Sequence, residues 1–402
     1  MDIAELKTNK LFWDFVYSHI NDNCLSLRLK YAKLNDFDIR FAIDQIEARQ
    51  KVKDKLPFVA VTETFLFPSL ISAEQCTSEA VANFKSSIFN EGYNSVCDLT
   101  GGLGIDTLAI SSVVENVTYV ERFSEYSSVA EHNFRLLNRN IRVINSNCED
   151  FLRLDIRFDA LYIDPARRGE SNKRLFAFSD CEPNVLALLP RMFEVADNVY
   201  IKASPMADIS MSINELMYVC DIYVISYKNE CKELLFRLNK DKATSSNVNI
   251  VCVDIRNTST SLFEFEYADE ADISDVKYSE PLRYLYEPSS SLLKAGAFKS
   301  VARKYNLYKL AQSSHLYTSD VLVDEFQGRK FIINEIIPFS SNGVKSLCKS
   351  ISEANITTRN FPLKVEELRK KLKIKDGGES YIFATTDNNK QKLLILCSRV
   401  TV

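Results

Sequence analysis

The chain has 402 residues, 46% hydrophobic and 26% charged, a composition that suits a globular protein of two or three domains and excludes a disordered one. Its formal charge of −4 excludes a protein coated in positive charge, while leaving room for the local basic patches that a nucleic acid meets. No run of about 18 apolar residues occurs, and Met1–Glu5 lacks the basic start and apolar stretch of a secretion signal, so a cytoplasmic protein with no membrane span is expected.

In chain order, residues 1–90 read as helical, with mixed periodicity and no strand alternation. Ser72 and Gln75 have capping-box spacing, which predicts one helix from there through Ala80, Val81 and Phe84 to about Gly92. From residue 95, short apolar strands alternate with amphipathic helices. The predicted strands are Ser95–Leu99, Val117–Glu121, Ile141–Asn145, Asp159–Ile163 and Asn198–Ala203, with helices at 104–114, 124–138 and 184–195. Such alternation gives an α/β fold with a parallel sheet covered on both faces. Asp221–Tyr227 and Cys231–Leu238 are separated only by Lys228-Asn229-Glu230, so this pair must be an antiparallel hairpin. Five crossover-linked strands closed by such a hairpin form the Rossmann-like, seven-stranded sheet of class I methyltransferases; NAD-binding domains continue with a sixth parallel strand.

Further on, strands are predicted at Asn249–Ile255 and Leu262–Tyr267. A basic amphipathic helix follows over 290–304, with Leu293, Ala297, Val301 and Tyr305 on one face. The last 70 residues read as a small α/β unit. Its strands lie near Phe331–Ile337, Ala354–Asn360, Tyr381–Thr385 and Leu393–Cys397, and Pro362 opens a helix running to Leu372. Ten cysteines, scattered singly, read as buried free thiols in a reducing compartment. Three widely spaced histidines (His19, His132, His315) offer no zinc-ligand spacing, and no metal is expected.

The residues that carry chemistry begin at Asp98-Leu99-Thr100-Gly101-Gly102-Leu103-Gly104. A strand delivers an acid at its carboxyl end, where ligands bind in open parallel sheets, and a glycine turn opens a helix. Gly101, Gly102 and Gly104, with Thr100 among them, let backbone amides approach a cofactor. Asp98 suits an ammonium, such as the methionine end of S-adenosylmethionine, and would repel a pyrophosphate. Thr107 stands where the dinucleotide fingerprint needs its third glycine. Glu121, at the tip of the second strand, can accept from both ribose hydroxyls. After the third strand, the Asn147 side chain and the Cys148 amide could read an adenine edge, or simply start a helix. Asp164-Pro165-Ala166-Arg167-Arg168 closes the fourth strand. Methyltransferases that act on exocyclic base amines carry Asp/Asn-Pro-Pro-aromatic there. Asp164 and Pro165 keep the acceptor and the rigid turn, whereas Ala166 and Arg167 depart from it. Arg167 and Arg168 could stack on a base, pair with phosphate, or form structural ion pairs.

Together with Glu74–Ala80, Tyr286–Ser289, Arg359–Pro362 and Lys375–Gly378, these motifs resemble the bacterial class I methyltransferases with a C-terminal THUMP-like domain, distantly similar to RNA guanine-N2 methyltransferases of the trimethylguanosine-synthase type. The resemblance implies S-adenosylmethionine as cofactor and places Thr77 over it. It also implies an N-terminal helical region (1–90), a methyltransferase domain (91–280), a ferredoxin-like segment (281–328) and a THUMP-like unit (329–402). RNA is its implied partner, to be methylated on a base amine with Asp164, Pro165 and Arg167 as catalytic residues. Independently, Arg359, Lys364, Arg369, Lys370, Lys371, Lys373 and Lys375 against Glu366 and Glu367 give a local charge of about +5. A methyltransferase acting on protein or a small molecule, or a non-catalytic RNA-binding or cofactor-sensing module, is the alternative. A nicotinamide-dependent dehydrogenase is disfavoured by Asp98, Thr107 and the hairpin.

Overall fold

The computed structural model describes residues 3–33, 37–90, 92–167, 178–242, 247–257 and 259–400. They fall into two compact units, Met1–Cys220 with Leu234–Thr244, and Asp221–Glu233 with Ser245–Val402.

The main sheet is built from β1 (Ser95–Asp98), β2 (Asn116–Glu121), β3 (Ile141–Asn145), β4 (Ala160–Ile163) and β5 (Asn198–Ala203), followed by β6 (Val219–Tyr227) and β7 (Glu230–Asn239). β1 lies between β2 and β4, β3 pairs with β2, and β5 with β4, all in parallel. β7 then pairs antiparallel with β5. The foot of β6 joins β7, where the Asn239 N–H donates to the Tyr218 carbonyl at 3.0 Å. β4 is buried at all four positions, as a central parallel strand must be when helices cover both faces. The order is that of the expected class I methyltransferase sheet.

Among the described residues, seven helices precede the sheet, from Ile3–Thr8 to Glu79–Phe89. Phe12, Val16, Ile43 and Ile46 bury themselves with Val129, and Val52, Phe65 and Phe67 with Leu103, Tyr119 and Phe134. Apolar burial is reinforced by two amide clamps. Asn133 accepts from Leu66 N–H (2.9 Å) and donates to its carbonyl (2.8 Å), and Gln45 does the same for Phe67 (2.9 Å each). Paired in this way, the backbone of an irregular segment can be buried at little cost.

The predicted helix from Ser72 breaks in two. Ser69 takes the N-cap of Leu70–Gln75, its hydroxyl accepting from Ser72 N–H at 3.1 Å, so Ser72 sits inside the first turn. The chain then extends at Cys76 and restarts at Glu79–Phe89. Thr77 therefore lies in a non-helical joint.

In the second unit β6 pairs in parallel with β8 (Asn249–Ile255), which pairs antiparallel with β9 (Thr260–Glu266). A separate sheet comprises β10 (Tyr284–Pro288), β11 (Tyr308–Lys309), β12 (Tyr317–Ser319), β13 (Gly328–Pro338), β14 (Asn355–Arg359), β15 (Ser380–Thr386) and β16 (Lys392–Arg399), in the order β11-β12-β10-β13-β16-β15-β14. The predicted basic helix over 290–304 is two helices, Ser290–Ala295 and Phe298–Lys304, because Gly296 takes the left-handed conformation (φ 74°) and caps the first. The last helix starts at Val365 rather than at Pro362, with Lys364 as its cap residue and Glu367 accepting the Lys364 N–H at 3.0 Å.

Candidate cofactor and acceptor site

The turn leaving β1 is shaped first by packing. A β-carbon on Gly101 would stand 2.0 Å from the Tyr119 ring, and one on Gly104 would stand 2.7 Å from the Phe134 ring. The Tyr119 hydroxyl donates to the Gly102 carbonyl at 2.6 Å, holding the turn against β2. Gly102 differs from its neighbours. It has φ +56° and nothing nearer than 3.9 Å around its missing β-carbon, so the open side of the turn is here. Gly104, at φ 83°, precedes the helix Ile105–Ile110.

Asp98 is buried, and both of its oxygens are used. Thr107 donates its hydroxyl at 2.6 Å and Thr100 its N–H at 3.0 Å. Burial raises its carboxyl to about 7 despite these two donors. Glu121 is also buried, accepting from Gly102 N–H (3.0 Å) on one oxygen and from Phe123 N–H (2.9 Å) on the other. A carboxylate offers about four lone-pair sites, so each acid keeps capacity for a ligand. Phe123 was not singled out in the sequence; its ring is half exposed two residues beyond Glu121, with the Arg122 guanidinium over it at 4.6 Å. An aromatic just past a strand-tip acid was the signal available.

Thr100 ties the turn to the acceptor motif, because its hydroxyl oxygen accepts the Asp164 N–H at 2.7 Å. The Asp164 side chain is 40% exposed, open enough to meet an acceptor, and forms an ion pair with Lys202 from β5. Lys202 lies 3.7 Å from Asp106, which also pairs with the buried Lys85 at 2.8 Å and accepts from Thr77 (2.9 Å) and Tyr162 (2.8 Å) hydroxyls. Burial pushes the Asp106 carboxyl up, but the Lys85 and Lys202 ammoniums outweigh it and hold the group well below the usual carboxylate range. Thr77 thus joins this cluster through Asp106. Sequence reading missed Lys85, Asp106, Tyr162 and Lys202, since each sits alone in an apolar or amphipathic run.

Other expected site residues lie differently. The Asn147 side chain caps the helix Cys148–Phe151, accepting from Asp150 N–H at 2.7 Å, so its oxygen serves as a helix start. Cys148 is buried, and burial pushes its thiol up. Arg167 lies on a two-residue strand that pairs with Cys181-Glu182. Arg168 lies outside the described residues. In the tail, Arg359 pairs with Glu287 at 3.1 Å and Arg369 with Asp376, so two of the seven counted cations are structural, while Lys364, Lys370, Lys371, Lys373 and Lys375 stay exposed.

Residues 284–326 match a ferredoxin-like domain family and residues 328–399 a THUMP domain-like family. A crystal structure of a candidate methyltransferase from Porphyromonas gingivalis W83 is 34% identical with a TM-score of 0.88, and the match covers 97% of this chain and 98% of that one. The chain belongs to that family: the bacterial class I, S-adenosylmethionine-dependent methyltransferases with ferredoxin-like and THUMP-like C-terminal segments. Slighter likenesses extend to a Thermus thermophilus 16S rRNA N2 G1207 methyltransferase with AdoMet and guanosine (13% identity, TM-score 0.32, covering 40% of this chain and 42% of that one). Another is a candidate RNA methyltransferase from Pyrococcus horikoshii (17% identity, TM-score 0.30, covering 40% and 83%). No curated protein matches the chain.

Among the described residues of this methyltransferase, no three of His, Cys, Asp or Glu are grouped to hold a metal ion. None of its described helices is long and apolar enough to cross a membrane. Its ten cysteines carry free thiols, seven of them buried.

Proposed function

We propose that this methyltransferase modifies a base amine in structured RNA, with Asp164 and Pro165 receiving the amine. The observation that carries this reading is the 2.7 Å hydrogen bond from Asp164 N–H to Thr100, which fixes the acceptor motif to the glycine turn. S-adenosylmethionine supplies an electrophilic methyl group when bound, so the protein needs no nucleophile of its own. The donor set fits that cofactor. Glu121 keeps lone pairs for ribose hydroxyls, Asp98 offers carboxylate charge to an ammonium, the Gly102 side of the turn is open, and the exposed Phe123 ring offers adenine a stacking face. Thr77 joins, through Asp106, the cluster that Lys202 links to Asp164.

At the acceptor, the half-exposed Asp164 carboxylate and the Pro165 carbonyl would accept from the amine and hold its nitrogen in line for transfer. The carboxylate also offsets the positive charge that develops on that nitrogen. Arg167, three residues after Asp164, would supply a guanidinium plane where related enzymes place an aromatic ring. The exposed lysines of the last helix and the loop after it suit a phosphate backbone.

The test is transfer of radiolabelled methyl from S-adenosylmethionine into fractionated RNA and protein. Label is expected in RNA, and Asp164→Ala should abolish it with cofactor affinity within about threefold of wild type. Label in protein alone would refute the RNA reading, and a fully active Asp164→Ala would remove Asp164 from the chemistry.

A further inference from the structure

Lys85, which is buried, and Lys202, which is partly so, join two aspartates in one charge cluster at the acceptor motif, and Lys202 reaches both acids. Its ammonium pairs with Asp164 and stands 3.7 Å from Asp106 and 3.4 Å from the Thr77 hydroxyl. Lys85 is all but inaccessible at 2% side-chain exposure, and it pairs with Asp106 at 2.8 Å. It also reaches the Thr77 and Tyr162 hydroxyls at 3.4 and 3.2 Å. A lone lysine between two carboxylates would divide itself between them. Here Asp106 is already met by Lys85, Thr77 and Tyr162. Lys202 accordingly stands closer to Asp164 than to Asp106.

We infer that Lys202 is a positioning residue that sets the Asp164 carboxylate in its working orientation, and that Lys85 acts at one remove by satisfying Asp106 so that Lys202 is not drawn away. This rests on the assignment of Asp164 to the acceptor site. A flexible, half-exposed aspartate has several rotamers, and an ammonium on the floor of the site selects one. The outer oxygen then stays available to an incoming N–H. The same cluster contains Thr77 from the joint between two N-terminal helices, so the N-terminal region and the acceptor motif share one network.

The experiment uses the full chain and the acceptor fraction that takes label from the wild-type enzyme. Lys202→Met should lower kcat by roughly 10–100-fold, the scale of a misplaced reacting group. S-adenosylmethionine affinity and acceptor KM should stay within about threefold of wild type, and Lys202→Arg should recover most of the loss. Lys85→Met should also lower kcat, because Asp106 then competes for Lys202. Adding Asp106→Asn to Lys85→Met should restore it, a non-additivity that a purely structural cluster would not produce. Circular-dichroism melting of each variant separates loss of fold from loss of orientation. A folded Lys202→Met with wild-type kcat would overturn the proposal. So would a Lys85→Met/Asp106→Asn pair no better than Lys85→Met alone. Should the wild type label no fraction, the RNA reading falls separately. The inference is then judged by crystal structures of wild type and Lys202→Met, where an Asp164 side chain in the same rotamer in both would overturn it.

Discussion

Asp98 is the residue whose surroundings say most. Its two oxygens are held by Thr107 and Thr100 inside the fold, and burial raises its carboxyl from 3.8 to about 7. The folded protein therefore keeps a proton that the unfolded chain surrenders above 3.8. Stability from this group is fully present below pH 3.8 and declines as pH rises through the window up to about 7. Asp98→Asn should flatten that decline in urea titrations across pH 4–7, and an unchanged slope would mean another group causes it. An ammonium brought to the site favours the ionised form, so cofactor binding at pH 6 should release about one proton. Calorimetry in two buffers of different ionisation enthalpy measures that release; equal heats would separate Asp98 from the cofactor's charge. The same residue shows the limit of motif reading. Thr107 was noticed as a missing glycine, and in the fold it is the hydroxyl that holds Asp98. Two of the three glycines make room for Tyr119 and Phe134.

Among elements, the N-terminal helices act as a cover pinned to the sheet's own helix Ser124–Leu136. Asn133 on that helix is fully buried and satisfies both backbone groups of Leu66. Asn133→Ala should leave a donor and an acceptor unpaired and cost about 2–4 kcal/mol, on the scale of 1–3 for each buried group. Urea unfolding checks this, and a loss below about 0.5 kcal/mol, the level of an ordinary surface change, would show that water reaches the segment. The broken helix at Cys76–Ser78 belongs to the same argument. Ser69 outcompetes Ser72 as cap because it precedes the first apolar turn, and the shortened helix lets the chain extend at Thr77, the residue that meets Asp106.

Across the molecule, the second compact unit reaches back before residue 281, to Ser245 and to Asp221–Glu233. Glu270 accepts from Lys299 N–H (2.6 Å), Ser300 N–H (2.8 Å) and the Ser300 hydroxyl (2.7 Å), capping the helix Phe298–Lys304. Gln327 donates to the Cys252 carbonyl at 3.0 Å, and Arg256 to that of Gly328 at 3.1 Å. Native-state hydrogen exchange on the full chain should show residues 249–272 opening together with 284–304. Opening with 95–203 instead would place the boundary near residue 280.

Strand and helix periodicity, the hairpin forced by a three-residue connection, and the glycine turn after an acid-tipped strand are local patterns, and they sufficed to lay out the sheet from Ser95 to Asn239. Short strands such as Tyr317–Ser319 carry no period of their own and exist only through their neighbours in the second sheet. Helix ends went the same way, decided at Ser69 and Gly296 by which cap the packed chain could use. The Lys85–Asp106–Lys202–Asp164 cluster draws on four separate parts of the chain, and its outermost members, Lys85 and Lys202, are 117 residues apart. Charges that far apart along the chain acquire meaning only when a buried, low-dielectric site brings them within bonding distance, where pairing becomes obligatory.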